Sequence, residues 1–354
     1  MARNPKYMQV AQDLKEKLAT YSYNQKLPTE AELVRMYDVS RQTIRVCLDI
    51  LREENIIRSL QGSGSYYIGK QSGHESTMRV GVITTYISDY IFPSILRGIE
   101  ETLTSNSYSL MLNATNNSVS TESQILLALN NKSIDGLIVE GTKTALPNPN
   151  SSFYYKLASM NIPVVFIHGY YNNLKHDNII HVVTDDYRGG CIVTERLADL
   201  GHVSIGSLFK SDDIQGINRY SGYIDTLANR GISIDDNNVM WFTTESRNTI
   251  INESNTNLIK MINSCTAIVC YNDDIAVELA GILAGVPNTV KAICSFDNCL
   301  RPNLQNIDFF SLEHPKGELG DTAVRKLMNM INGSREQSVA LDWKQLVHYP
   351  DLSK

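Results

Sequence analysis

The chain has 354 residues, 42% hydrophobic and 20% charged, a globular balance that excludes wholesale disorder. Its formal net charge of −6 is uneven: residues 1–70 carry 11 Lys and Arg against 8 Asp and Glu, while the remainder carries 21 against 30. A small basic module on a larger acidic body suits a chain that grips nucleic acid with one end. The longest apolar run, 162–167, contains Pro163 and falls far short of the ~20 residues a membrane span needs. No basic stretch followed by an apolar one opens the chain, so a cytoplasmic protein without membrane contact is expected. The six cysteines form no CxxC pair and no zinc spacing with histidine, so neither a disulfide framework nor a metal or other cofactor is expected.

In chain order, Met8, Val10, Ala11, Leu14 and Leu18 form an apolar stripe at helical spacing. Thr29 with Glu32 three residues on is a capping box, and Leu33, Met36 and Tyr37 continue the buried face of a second helix. Ser40 can cap a third, with Ile44, Cys47, Leu48 and Leu51 apolar. Two short apolar runs around Gln61, Gly62, Ser63 and Gly64 then predict a hairpin. Three helices and a hairpin make a winged helix-turn-helix over residues 1–68, whose third helix would enter the major groove. Residues 69–77, polar with two glycines, are expected to be a linker. From residue 78 to 354 the pattern changes: apolar strands are predicted at 79–85, 108–114, 135–140, 163–167, 179–183, 203–208, 267–271 and 291–296. Helices lie between them, for example at 93–105 and 121–131. This alternation predicts an α/β body of two doubly wound parallel-sheet lobes.

The run Leu27 to Leu33, then Tyr37 to Arg45, then Gln61 to Gly64 resembles the GntR-type winged helix over residues 5–68. Arg41, Gln42 and Thr43 fall in the first turn of the third helix, and Arg45 lies one turn on; arginine can donate twice to guanine O6 and N7. The resemblance implies that Glu30 and Arg45 contribute to sequence readout, with Thr29 and Ser40 beside them. Gln61, Gly62 and Ser63 form the wing tip, and Lys6 and Tyr7 are expected on backbone phosphates.

Residues 78–350 resemble the LacI/GalR family of sugar-sensing regulators, whose effector domain shares the periplasmic sugar-binding protein fold. The motifs run from Gly81 and Phe92 to Glu100, Asp135 to Val139, Asp185 to Gly190, Arg219 to Gly222, Tyr271 to Ala276 and Ser295 to Asn298. A GntR head on a LacI-type body is similar to the L-arabinose-responsive repressors of Gram-positive bacteria, especially at Thr84 to Pro93, Gly136 to Lys143, Cys270 to Asp273 and His314 to Lys316. Ligands of doubly wound sheets bind at the carboxyl ends of strands. Tyr90, Phe92, Glu140, Lys143, Tyr171, Asn272 and Asp297 are placed at such ends. By resemblance Arg219 grips sugar hydroxyls, Asp297 accepts them, and Gln215 and His314 occupy further ligand positions. The resemblance implies a homodimer that binds operator DNA and lets go when L-arabinose occupies the body; another pentose, a hexose or a purine is the alternative effector. An enzyme is not expected: no GxGxxG follows the first strand of the body, there is no GxxxxGK[ST], and no catalytic constellation emerges from spacing.

Overall fold

The computed structural model describes residues 5–18, 20–21, 25–54, 56–60, 63–68, 76–88, 90–129 and 133–350. The head consists of α1 (Lys6–Leu18), α2 (Glu30–Tyr37), α3 (Arg41–Glu53), β1 (Ile57–Leu60) and β2 (Gly64–Tyr67), the two strands antiparallel. Thr29 and Glu32 close the expected capping box, and Ser40 Oγ accepts from Thr43 N at 3.1 Å. Leu14, Leu18, Leu33, Ile44, Cys47 and Leu51 pack into one small core, but Met8 of the first expected stripe and Met36 of the second helix's expected buried face point outward, 50% and 55% exposed. Asn55, Gln61 and Gly62, together with 69–75 of the expected linker, lie outside the described residues. Ser76, Thr77 and Met78, which follow, are tied down. The Asp135 carboxylate accepts from Ser76 Oγ at 2.6 Å and from Thr77 N, Thr77 Oγ1 and Met78 N, each at 2.9 Å.

The body begins with β3 (Arg79–Thr84), α4 (Phe92–Ser105), β4 (Ser109–Ala114), α5 (Val119–Leu129), β5 (Gly136–Val139), α6 (Ser151–Ser159), β6 (Val164–Ile167) and β7 (Ile179–Thr184). It continues with α7 (Asp186–Asp199), β8 (Ile205–Lys210), α8 (Ile214–Asn229), β9 (Val239–Phe242), α9 (Arg247–Ile250), α10 (Thr256–Ser264), β10 (Ala267–Cys270) and α11 (Asp273–Gly285). Last come β11 (Ala292–Asp297), β12 (Asp308–Glu313), α12 (Lys316–Ile331), β13 (Val339–Leu341) and β14 (Leu346–Tyr349). Lobe 1 is a six-stranded sheet ordered β13-β7-β6-β5-β3-β4, and lobe 2 a six-stranded sheet ordered β14-β12-β11-β10-β8-β9. Every pairing in the two is parallel except β12 with β14. Strands β3, β5, β6, β10 and β11 are buried almost throughout, as expected of parallel strands covered on both faces by helices.

The chain crosses between the lobes three times: after β7, between β12 and α12, and between β13 and β14. These crossings are packed together. Trp343 Nε1 donates to Asp185 O at 2.9 Å, and the rings of His314 and Trp343 meet edge to face at 5.4 Å. The strand expected at 203–208 runs instead from 205 to 210, because Val203 follows the left-handed Gly201 turn and stays exposed. Strands β9, β12, β13 and β14 carry no expectation from the sequence; each is short or lies at or next to a sheet edge, where apolar runs are weakest.

Candidate functional sites

In the head, Arg41, Gln42 and Arg45 are exposed along one side of α3. Glu30, at the start of α2, receives Arg41 Nε at 2.9 Å and Arg45 Nε at 3.2 Å, and the Arg41 hydrogen bond draws its carboxyl below the usual range. One carboxylate therefore sets the spacing of two guanidiniums on the helix surface. Thr29 and Ser40 are occupied as helix caps, and Thr43 is half-buried beside Ser40. Lys6 Nζ reaches Asp38 O at 3.5 Å. Tyr7 is half-buried, its carbonyl accepting from Cys47 Sγ, and exposed Ser63 bonds the Tyr66 hydroxyl at 2.7 Å.

Between the lobes lies a cavity of about 350 Å³ at the carboxyl ends of both sheets, large enough for a monosaccharide. Seven of the ten expected effector residues line it: Tyr90, Phe92, Glu140, Gln215, Arg219, Asn272 and Asp297. The other three do not. Lys143 sits at the rim and pairs with Glu245. Tyr171 stands behind Gly141, its hydroxyl 2.7 Å from Thr142 O and 3.1 Å from the buried Glu122 carboxylate. His314 is buried in the crossing segments against His168. Burial holds His314 well below the ordinary histidine range, so it is neutral.

Arg219 is carried by α8 and is only 2% exposed. Its Nε donates to Asp186 at 2.9 Å and its Nη1 to Tyr271 O at 2.5 Å, while the guanidinium lies over Phe296, Tyr271 and Trp343 at 4.2–5.2 Å. Burial lifts the Asp186 carboxyl to about 6 despite this partner. The close approach of α8 depends on glycine: a Cβ at Gly190 would fall 2.2 Å from Arg219 O, and one at Gly222 2.1 Å from Tyr187 O. Asp297 has a left-handed φ of 96° at the end of β11. Its Oδ2 accepts from the Tyr90 hydroxyl at 2.6 Å, while its Oδ1 is buried without a protein partner. Asn272 is the N-cap of α11, its side chain accepting from Ile275 N.

Several lining residues were not singled out from the sequence: Thr85, Tyr86, Asn117, His168, Lys210, Asp213, Thr244, Arg247 and Asp274. Glu140 Oε2 accepts from Thr85 N and Oγ1 at 2.7 and 2.6 Å, and Glu140 Oε1 lies 3.1 Å from His168 Nδ1. A carboxylate only accepts, so Nδ1 carries a proton toward Glu140, while Nε2 is buried without a protein partner. His168 also has a left-handed φ of 62°, uncommon for a non-glycine residue; only its place at the end of β6 signals its position in the sequence. The three cations lining the cavity are all neutralised: Lys210 by Asp213 at 2.5 Å, Arg219 by Asp186, and Arg247 by Asp274 at 2.6 Å and Glu278 at 2.7 Å. No group of three or more His, Cys, Asp or Glu among the described residues could hold a metal ion. No helix there is long and apolar enough to cross a membrane.

A winged-helix head joined to a two-lobed body with a polar interlobe cavity defines a ligand-responsive DNA-binding regulator. Residues 6–66 match the bacterial regulatory proteins of the gntR family, and residues 77–344 match the periplasmic binding proteins and sugar binding domain of the LacI family. The chain belongs to the LacI-type sugar-binding family, carried behind a gntR-family head. It is 33% identical to the arabinose metabolism transcriptional repressor of Halalkalibacterium halodurans, over 98% of this chain and 95% of that one. With the protein of the same name from Geobacillus stearothermophilus it shares 34% identity, over 98% and 96%. A LacI-type regulator from Alkaliphilus metalliredigens, solved in complex with D-xylulofuranose, has the same fold: TM-score 0.61 at 21% identity, over 76% of this chain and 97% of that one. The Halalkalibacterium halodurans and Geobacillus stearothermophilus relatives are transcriptional repressors, a non-enzymatic class.

Proposed function

We propose that this protein is a cytoplasmic, homodimeric repressor of sugar-utilisation genes that leaves its operator when L-arabinose fills the interlobe cavity. The observation that carries the reading is the charge state of that cavity. Its lysine and arginine side chains are already paired with carboxylates, while Asp297 Oδ1 and His168 Nε2 are buried without protein partners. A phosphate or carboxylate ligand would find no uncommitted lysine or arginine, whereas a neutral polyol has hydroxyls that donate to Asp297 Oδ1, bond His168 Nε2 and receive from the Asn117 and Gln215 amides. Tyr86 and Phe92 offer the apolar face a sugar ring needs. The names of the two relatives above favour arabinose among pentoses. In the head, Glu30 holds Arg41 and Arg45 for base readout; Thr29, Ser40, Gln42, Thr43, Lys6, Tyr7 and the wing residues Gln61, Gly62 and Ser63 contact the backbone or neighbouring bases.

A thermal-shift panel tests this, with L-arabinose, D-xylose, D-galactose, D-ribose, a purine base and a pentose phosphate on the purified protein. A ligand at ~100 times its Kd adds about 2.7 kcal/mol of stability. L-Arabinose should stabilise and the phosphate should not, and saturating L-arabinose should weaken operator binding measured by fluorescence anisotropy. Stabilisation by the phosphate or the purine alone would refute the neutral-sugar reading, and unchanged operator affinity would refute release.

A further inference from the structure

The topology puts the hinge and the free rim at opposite edges of both sheets. The chain crosses between lobes beside β7 and β13 in lobe 1 and beside β12 and β14 in lobe 2, whereas β4 and β9 form the far edges. Five strand spacings of about 4.8 Å place those edges roughly 24 Å from the crossings, so an opening of about 10° would separate them by about 4 Å. Hydrogen bonds at that edge are the first to break when the lobes part.

The rim is joined there. Asn117, after β4, donates from Nδ2 to Thr244 Oγ1, after β9, at 2.6 Å. Thr244 Oγ1 in turn donates to Asp212 Oδ2 at 2.8 Å. Asn117 Oδ1 accepts from Lys143 N at 3.1 Å, and the Lys143 ammonium pairs with Glu245 across the gap. Two backbone amides also cross: Ala145 N donates to Asp212 O at 3.1 Å, and Ile214 N to Thr144 Oγ1 at 3.0 Å. Asn117 and Lys143 both have left-handed φ, 54° and 49°, and these two strained residues bond each other. Neither Lys143 nor Glu245 lines the cavity.

We propose that Asn117, Lys143, Thr244 and Glu245 form a latch that holds the two lobes closed, so that Lys143 acts on the partner lobe and not on the effector. The latch rests on the sugar-cleft reading only for its consequence: a ligand enclosed between the lobes leaves when the latch opens. Weakening it should raise the ligand's dissociation rate and leave its association rate unchanged.

The two crossing amides are native probes that need no ligand. Hydrogen–deuterium exchange on the full-length protein would compare wild type with Lys143→Gln, Glu245→Gln and the exchanged pair Lys143→Glu/Glu245→Lys. A partly exposed ion pair is worth up to about 1 kcal/mol, so each single variant should speed exchange of segments 143–146 and 212–216 about two- to fivefold. The exchanged pair should restore it to within about twofold, while amides of buried β3 should not change. Unchanged exchange in both single variants, failure of the exchanged pair to rescue, or equal acceleration in β3 would each overturn the latch. With L-arabinose bound, stopped-flow dissociation should rise by the same factor as exchange. If no sugar in the panel binds the wild type, the effector reading falls while the exchange result still decides the latch.

Discussion

Replacing Arg219 by methionine isolates what the buried cation does for the fold from what it does for a ligand. The side chain is 2% exposed and its loss leaves Asp186, equally buried, without its charge partner. Breaking a buried pair in this way costs about 3–5 kcal/mol. The structure also fixes how that cost depends on pH. In the wild type the Asp186 carboxyl titrates at about 6, raised by burial and pulled back by Arg219. A group raised in the folded state contributes its full stability below its ordinary value of ~3.9 and loses it as pH climbs through the folded one. Without Arg219 the carboxyl moves higher still, so the variant goes on losing stability above pH 6, where the wild type has levelled off. At about 1.36 kcal/mol per pH unit, the penalty should widen by about 2 kcal/mol between pH 6 and 7.5. Urea unfolding at pH 6.0 and 7.5 would measure this for wild type, Arg219→Met and the double variant Arg219→Met/Asp186→Asn; His314 is present in all three and cancels. The double variant should recover most of the widening because it has no buried carboxylate to ionise. It should nonetheless show no stabilisation by L-arabinose. A penalty that is flat between the two pH values, or a double variant no more stable than the single at pH 7.5, would refute this account of the pair.

Arg45→Ala should cost about 1–3 kcal/mol in operator binding and relax one base position; equal loss on operator and random DNA in a quantitative titration would make Arg45 a phosphate contact instead. Gly190→Ala drives a Cβ to 2.2 Å from Arg219 O, so α8 must retreat, with a stability loss of about 1–3 kcal/mol and weaker sugar binding by calorimetry; undiminished binding would mean that helix placement does not set the site. His314 is held neutral in the fold, so stability is full above pH ~6.5 and falls below it as the unfolded chain takes up the proton. Between pH 7.5 and 5.5 the wild type should lose about 1.4 kcal/mol more than His314→Gln in urea melts, and equal losses would place the titration elsewhere.

The winged head and the two-lobed plan could be read before any coordinates because their signals are local. A capping box, a helical stripe and a run of buried β-branched residues each report on their own segment. Chain order then supplies the alternation of strand and helix. Lobe 1 was the more legible lobe, since β3, β5 and β6 are continuous apolar tetrads or hexads buried at every interior position. Short strands at or near the sheet edges were not: β13 and β14 are half-exposed and belong to different lobes although four residues separate them. Nothing local in that stretch says that the chain changes lobes.

The cavity divides along the same line. Residues at the ends of central, buried strands, such as Glu140 and Asp297, could be placed from the sequence because strand ends converge in a doubly wound sheet. His168 and Asn117 could not, since their roles come from a left-handed backbone and from partners in Glu140 and Thr244, 28 and 127 residues away. Lys143 carries the opposite lesson. Its position after β5 put it near the ligand by position alone, yet a side chain at a strand end can reach outward as readily as inward, and here it reaches Glu245 in the other lobe. The expected linker was read from composition, which reports what a segment could do alone and not what it meets. Ser76, Thr77 and Met78 meet the Asp135 carboxylate, with every bond at 2.6–2.9 Å, and Arg79 then enters β3. A rotation of lobe 1 is therefore imposed on the chain from residue 76 onward, at the amino ends of the strands and opposite the ligand cavity, while within the described chain lobe 2 acts on that point through the three crossings and the contacts across the cleft.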